Sequence, residues 1–378
     1  MQAGDRMRST TPVTAPLAVL CLLSTAGCRA GNPPTPTPAR KQPAVDTCAQ
    51  LRLPAEVARG MSFVHSYQHD GSRGYGSEAA ELSLRELSAL GVDAVSIMPF
   101  GFMSAVDDPS VRLVGDMRAG ETDERVVAQI RAAHDLGMTV MLKPHIWIRG
   151  GGWRGNIGFA DDADWQRWFA SHRAFILHYA HIAQAQRIAG LSVGVELASA
   201  TARNGSAWRS LIADVRAVYG GRLTYSANWD EAARVDFWGS LDEIGVQFFP
   251  SIARRAGDDA GSMRRAVDRH LDRLEKLSTR HDRPVVFTEV GYKSIAAAGV
   301  KPYEWPERMA QAERVPDPQA QLRAHRAMLA AIGDRPWLRG LYVWKWFTDV
   351  DSREEGPDGY SPRGKPAAEA LRCAFATP

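Results

Sequence analysis

The feature that most constrains the fold of this chain is the regular alternation of eight short apolar segments with amphipathic segments. The apolar segments are rich in β-branched and aromatic residues, and most are apolar throughout, which is typical of parallel strands buried on both faces. Between them, apolar residues recur at helical spacing. The eight segments read GMSFVH, VDAVSIMPF, MTVMLKPH, LSVGVELAS, RLTYSANWD, EIGVQFFP, PVVFTEVGY and LRGLYVWKW.

Two architectures fit strands that alternate with helices: a closed barrel and an open doubly wound sheet. No glycine-rich phosphate-binding loop follows the first strand, which argues against the open sheet. Eight strand–helix units between residues 47 and 378 fit the closed form. We therefore predict an α/β protein with a single-domain (β/α)8 barrel, the TIM barrel.

The residues before the barrel are predicted to form an export signal followed by a linker. Residues 1–28 contain two arginines, the short apolar run PLAVLCLL and the sequence LSTAGC, and this run is too short to span a bilayer. LSTAGC resembles a bacterial lipobox in which Cys28 is lipidated, with Thr25 in place of the usual leucine. The alternative is an ordinary secretory signal cleaved nearby. Residues 29–46 form a proline- and threonine-rich linker.

The predicted export also affects the expected oxidation state of the cysteines outside the lipobox. Cys21 would leave with the signal, which leaves Cys48 and Cys373 at the two ends of the predicted domain. An oxidising compartment favours a disulfide between them, and two buried free thiols are the alternative. We expect a lipid-anchored protein of the bacterial outer membrane or cell surface; without the lipid it would be periplasmic or secreted.

Composition excludes some partners. The chain is 45% hydrophobic and 24% charged, as is ordinary for a soluble globular protein, and its net charge of +3 is spread without a basic block. A nucleic-acid partner is therefore not expected. The 11 tryptophans are a high count, and several fall in predicted loops, where exposed aromatic rings need a reason.

In a (β/α)8 barrel the chemistry gathers at the carboxyl ends of the strands. Two glutamates stand there, on strands four and seven, on opposite sides of the barrel mouth. The catalytic candidates are Glu196 and Glu289, and the candidates for substrate binding are Lys143, His145, Trp153, Asn228, Trp229, Phe248, Tyr292 and Trp344.

Two carboxyl groups that face each other can divide the work of glycoside hydrolysis. One, held protonated, is the general acid, while the other stays ionised and attacks the sugar carbon; a separation of roughly 5–5.5 Å indicates a retaining mechanism. We expect Glu289 to stay charged, its burial offset by a neighbouring cation such as Lys143 or Lys345. The tryptophans would stack on sugar C–H faces, and the polar side chains would bind hydroxyls. Taken singly, each of these residues also has an ordinary structural role.

The predicted substrate is a polysaccharide or oligosaccharide, and no cofactor or metal is expected. The acidic stretch DVDSREEGPDGY is either a solvated loop or a calcium site. One rival function is a non-catalytic, glycan-binding surface lipoprotein, which would tolerate loss of either glutamate. Another is a metal-dependent amidohydrolase, whose metal site requires a His-x-His pair at the end of the first strand. Here His65 and His69 are four residues apart, which argues against it.

The landmarks AHDLGMTVMLKPHIW, VGVELAS, LTYSANWD, VVFTEVGY and DGYSPRGKPAAEAL resemble glycoside hydrolase family 113 from about residue 60 to 371. Characterised members of that family are β-mannanases of the large retaining clan of (β/α)8 barrels. The resemblance implies that Glu196 is the acid/base and Glu289 the nucleophile. It further implies an endo-acting enzyme on β-1,4-mannan or glucomannan, with no metal in the chemistry.

The chain departs from the clan pattern at two positions. Val195 stands where the clan usually has the asparagine that precedes the acid/base and binds the sugar 2-hydroxyl. Phe248 stands where a tyrosine commonly reaches the nucleophile, and Tyr292 is a candidate to replace it. Both departures bear on recognition of the 2-hydroxyl.

Overall fold

Parallel pairing closes eight strands into a ring. The computed structural model describes residues 48–67, 71–113, 121–333 and 335–376. Around the ring the order is β1, β2, β4, β6, β7, β8, β9, β10 and back to β1, which confirms the predicted (β/α)8 barrel and excludes the open sheet. The strands are β1 (Ala58–Val64), β2 (Ala94–Ile97), β3 (Phe100–Met103), β4 (Thr139–Leu142), β5 (His145–Ile148), β6 (Gly190–Val195), β7 (Arg222–Asn228), β8 (Ile244–Phe248), β9 (Val285–Val290) and β10 (Leu338–Phe347).

Helices surround the ring and bury their apolar stripes against it. Several begin at a Ser, Thr or Asp side chain that accepts a hydrogen bond from a free backbone N–H of the first turn. The connection 229–243 instead carries two short 3-10 turns. The helices are α1 (Glu78–Ala89), α2 (Asp123–Asp135), α3 (Asp162–Ala185), α4 (Ala198–Arg203), α5 (Gly205–Val218), α6 (Ala260–His281), α7 (Pro318–Ile332) and α8 (Pro366–Phe375).

A second, two-stranded sheet lies beyond the carboxyl ends of β2 and β4. It pairs β3 with β5 in parallel, with Phe100 opposite His145 and Phe102 opposite Trp147. The sequence pattern does not predict this sheet. It extends the wall of the barrel mouth and holds His145 on regular structure.

The barrel interior changes from apolar to polar towards the mouth. Met141 on β4 belongs to one buried cluster with Val286 on β9 and Tyr342 on β10. Because β4 is not a neighbour of β9 or β10 in the ring, this cluster lies inside the barrel. Nearer the mouth, the hydroxyls of Ser192 and Ser226 are hydrogen bonded at 2.9 Å. Polar side chains are thus already paired beneath the site.

The two ends of the described domain meet at the base of the barrel. Cys48 and Cys373 form a disulfide, with Cα atoms 4.8 Å apart. Arg59, at the start of β1, pairs with Asp93 at 3.3 Å and donates to the carbonyl of Phe375. The predicted signal, the linker and Cys28 lie outside the described residues. Within the described ranges, no helix has the length and apolar character needed to cross a membrane.

Candidate active site

Glu289 reaches the barrel mouth because its strand is irregular. On β9, Phe287 pairs with Val246 of β8, but the next pair joins Glu289 to Gln247, so Thr288 is an extra residue. Strict alternation would point Glu289 outward with Phe287. An inserted residue of this kind re-aims the side chains that follow it, here into the barrel.

Lys143 forms a buried ion pair with Glu289. Its Nζ lies 2.5 Å from Oε1 of Glu289 and also donates to the carbonyl of Thr288, with Lys143 wholly buried and Glu289 5% exposed. Burial raises the pKa of Glu289, and the nearby ammonium opposes that increase. Burial likewise lowers the pKa of Lys143. Of the two cations expected beside Glu289, Lys345 points elsewhere and pairs with Glu355 at 2.9 Å.

Glu196 is held differently, at a strained backbone position just past the end of β6. Pairing of β6 with β7 gains an extra residue between Ser192 and Val195, and Glu196 itself has φ of +53°. That conformation costs a non-glycine residue about 1–3 kcal/mol and clusters at functional sites. The Glu196 side chain is 19% exposed, and its Oε2 lies 3.7 Å from Nη1 of Arg154.

A buried network fixes the backbone next to Glu196. The N–H of Leu197 donates to the hydroxyl of Tyr225 at 2.7 Å, and that hydroxyl donates to Glu231 at 2.7 Å. Glu231 also accepts from the hydroxyl of Thr201. Burial raises the pKa of Glu231. These hydrogen bonds therefore stabilise the strained backbone at Glu196 through the neighbouring N–H of Leu197.

Gln247 joins the two glutamates, and sequence reasoning did not select it. Its partners assign the amide nitrogen to the side of the carboxylates, where it donates to Oε1 of Glu196 at 2.7 Å and to Oε2 of Glu289 at 3.3 Å. The signal in the sequence was a single polar residue in the otherwise apolar strand IGVQF.

His145 lies beside Glu289, and its ring is neutral. Nη1 of Arg154 lies 2.9 Å from its Nδ1, and since arginine only donates, Nδ1 accepts and the proton is on Nε2. Nε2 lies 3.8 Å from Oε1 of Glu289 and has no hydrogen-bond partner. Burial and the charges of Arg154 and Lys143 hold the pKa of His145 well below its usual range.

These groups lie in an open cleft of about 850 Å³ at the barrel mouth. The cleft brings together both glutamates and five of the predicted binding residues: His145, Trp153, Asn228, Trp229 and Trp344. Residues that were not among the predicted site residues also line it, including Phe100, Arg154, Gln247, Phe249, Tyr303 and Trp305.

Three predicted binding residues, Phe248, Tyr292 and Lys143, do not line the cleft. Phe248 follows Gln247 on β8 and therefore points outward, where it stacks on Phe287 at 4.4 Å. Tyr292 is fully buried and packs edge-on against His325 of α7. Neither forms a hydrogen bond with Glu289, whereas the amide of Gln247 does. Lys143, the remaining candidate, acts from beneath the cleft floor.

Little in the described ranges suggests a metal centre. They contain no group of three or more His, Cys, Asp or Glu side chains placed to hold an ion. Nδ1 of His65 accepts from the backbone N–H of Tyr75, and His69 lies outside the described residues. In the acidic loop, Asp349 pairs with Arg73 at 3.0 Å.

Solved structures of similar architecture include three structures of GH113 β-mannanases. A GH113 β-1,4-mannanase, solved as a complex, is 27% identical with a TM-score of 0.73; the match covers 84% of this chain and 98% of that one. The GH113 β-mannanase AaManA from Alicyclobacillus acidocaldarius, in complex with ManMIm, is 28% identical with a TM-score of 0.72, covering 84% and 97%. A β-glucuronidase from Ruminococcus gnavus, 12% identical with a TM-score of 0.56, shares the fold alone.

Sequence comparison gives the family directly. None of the curated proteins compared with the chain matches it. The profile of Glycoside Hydrolase Family 113 matches residues 65–365, which is most of the chain and includes the whole site. The resemblance seen in the sequence is confirmed: the chain belongs to glycoside hydrolase family 113 and is a glycosidase.

Proposed function

We propose that this glycosidase is a retaining endo-β-1,4-mannanase that acts on mannan or glucomannan, with Glu289 as nucleophile and Glu196 as acid/base. The observation that carries the proposal is the pair of carboxylates bridged by one amide nitrogen of Gln247 at the floor of an aromatic cleft. The separation of the bridged oxygens cannot exceed the sum of the two hydrogen-bond distances. That sum is below the roughly 6.5–9.5 Å typical of inverting enzymes.

The surroundings of each carboxylate suit one role. Glu289, with Lys143 at 2.5 Å, is the anion that attacks the anomeric carbon, while Glu196, nearer to solvent, gives its proton to the departing oxygen. In the second step Glu196 takes a proton from water, and the water oxygen displaces Glu289 from the sugar. Arg154, 3.7 Å from Glu196, favours the charge that Glu196 carries between the two steps.

The shape of the cleft supports attack within a polysaccharide chain. Trp153 follows β5, and Trp305 follows β9, on opposite sides of the barrel mouth, and both line the cleft. Aromatic rings on both sides of the carboxylates can bind sugar units on both sides of the scissile bond. The choice of mannan is supported by the 27–28% identity to family members that are β-mannanases.

The test is product release from β-mannan, glucomannan, xylan and β-glucan, with mature protein beside Glu289→Ala. We expect cleavage of mannan and glucomannan that the variant loses. Cleavage of another glycan would overturn the substrate assignment and keep the mechanism. Binding without cleavage of any glycan would favour the rival function, a non-catalytic glycan-binding lipoprotein.

We also propose that the protein is exported and anchored through lipid on Cys28, with the signal and linker as predicted. The disulfide between Cys48 and Cys373 supports an oxidising compartment. Labelled palmitate should be incorporated into the wild type in a bacterial host and not into Cys28→Ser. Equal labelling of both would overturn the lipid anchor.

A further inference from the structure

Two exposed aromatic rings on one loop have no role in the two carboxylates' chemistry. The loop joins β9 to α7 and is here called the rim loop (residues 291–317). Its Tyr303 and Trp305 are 49% and 41% exposed, yet both line the cleft. Large aromatic side chains left open to solvent at a cleft mark a binding surface.

Buried polar groups hold the rim loop in one conformation. Lys293, 1% exposed, donates through Nζ to the carbonyls of Lys301 and Glu304 at 2.7 and 2.6 Å. The hydroxyl of Tyr360 donates to the carbonyl of Pro302 at 2.5 Å. A lysine ammonium is costly to bury, and here its donors are used on the loop backbone that carries the two rings.

The ring of Trp305 is also fixed from the side. It packs edge-on against Trp344, with centroids 6.0 Å apart, and lies 6.0 Å from Tyr360. The ammonium of Lys345 lies 5.3 Å from the Trp305 centroid and is itself held by Glu355 at 2.9 Å. Trp305 therefore continues the aromatic lining that Trp344 begins near the nucleophile.

A ring fixed in this way binds with little loss of side-chain freedom. The C–H face of a pyranose unit is apolar and complements an exposed indole, whereas its hydroxyls remain in water. Building on the proposed glycan-cleaving function, we propose that Tyr303 and Trp305 form a platform for a sugar unit beyond the reacting one. Lys293 and Tyr360 are positioning residues for this platform, which makes the enzyme select longer oligosaccharides.

The test is kcat/KM for manno-oligosaccharides of increasing length. In the wild type the value should rise with each added unit until the platform is filled. In Trp305→Ala, the ratio of the longest to the shortest substrate should fall about tenfold. Val315→Ala is the control, because Val315 is 61% exposed on the same loop and does not line the cleft. An unchanged ratio in Trp305→Ala would overturn the platform.

Lys293→Met tests the positioning role without touching the sugar. Its length ratio should fall in the same direction as in Trp305→Ala, through KM for the long substrates rather than kcat for the short ones. An equal fall for all lengths would show that Lys293 supports the fold alone and would overturn the positioning role.

Binding separates this inference from the proposed function. Titration of a long manno-oligosaccharide into Glu289→Ala, and into Glu289→Ala combined with Trp305→Ala, reports the platform without turnover. Weaker binding in the double variant supports the platform even if no glycan is cleaved, which would count against the proposed function alone. Equal binding would overturn the platform even if mannan is cleaved.

Discussion

The two glutamates of the site are held in opposite ways. Glu289 is buried, and its side chain is fixed by a buried cation, Lys143, at 2.5 Å. Glu196 is partly exposed, and its position depends on a left-handed backbone secured through Leu197, Tyr225 and Glu231. One residue is controlled through its charge and the other through its main chain.

This difference matches what the two proposed roles require. A nucleophile must remain an anion although its side chain is buried, so it needs a fixed opposite charge. An acid/base must exchange protons with the leaving group and with water, so a permanent ion pair of the same strength would hold it in its charged form. Gln247 bonds to both side chains and keeps them in register.

The largest effect should separate the two roles. Glu289→Ala should lose activity on every substrate by on the order of 10⁴-fold or more, because no carboxylate is left to attack. Glu196→Ala should lose as much on poor leaving groups but retain the first step with an aryl glycoside whose phenol leaves unaided. Pre-steady-state release of the phenol measures that step.

The outcome that contradicts the assignment is specific. If Glu196→Ala releases a good leaving group as slowly as a poor one, Glu196 does not act as the acid. Wild-type activity in Glu289→Ala would show that Glu289 is not the nucleophile.

The next effect isolates the buried cation. Burial raises the pKa of Glu289, and Lys143 lowers it, so Lys143→Met should raise it further. The acid limb of the kcat/KM profile should move to higher pH, with a loss of about tenfold at a fixed pH on that limb. Lys345→Met is the matched control, because Lys345 pairs with Glu355, and its acid limb should keep the wild-type position. A shift of the same size in both variants would contradict the specific role of Lys143.

A smaller effect is expected from the network behind Glu196. Tyr225→Phe removes the hydroxyl that joins Leu197 to Glu231, so the acid should be less well placed. We expect kcat to fall about tenfold on poor leaving groups and less on good ones. Tyr219→Phe removes another buried hydroxyl, bonded to Ile188 before the start of β6, and controls for general loss of packing. Equal losses on both leaving groups would indicate damage to the fold instead.

The barrel was predictable because its strands are apolar throughout and recur eight times, a pattern that tolerates errors at single positions. The two glutamates were also found, because a carboxylate at the end of an apolar strand is costly without a use. The pairing of Cys48 with Cys373 followed from the predicted export.

What the sequence did not reveal depends on backbone irregularity. The extra residue at Thr288 turns Glu289 inward, and strand alternation alone does not place such an insertion. On β8 alternation is regular, with Gln247 inward and Phe248 outward, but the sequence does not show which of the two faces the barrel interior. Tyr292 was misplaced for a related reason, since nothing local marks its burial against α7. Long loops carry even less signal, so Trp305 was missed.

Glu121, a buried carboxylate outside the candidate site, extends the comparison, and its substitution should affect activity least. Glu121 is 3% exposed and accepts from the hydroxyl of Tyr67 at 2.7 Å and from the N–H of Phe100 at 2.9 Å, both neutral donors. Burial raises its pKa from 4.5 to about 8. The folded state thus favours the protonated form, so its contribution to stability is complete below pH 4.5 and is lost as the pH rises through about 8.

Glu121→Gln should remove this dependence, because a neutral amide of similar shape does not titrate. Urea unfolding from pH 4.5 to 8 should show the wild type losing on the order of 5 kcal/mol relative to the variant. Glu124→Gln, at an exposed position three residues on, is the control and should follow the wild type. A variant that follows the wild type would mean that Glu121 is already ionised. If the stability of Glu121→Gln does not change with pH while that of the wild type falls, hydrogen bonds from neutral donors do not keep a buried carboxylate charged in this fold. Glu289, which is also buried, then owes its charge to Lys143.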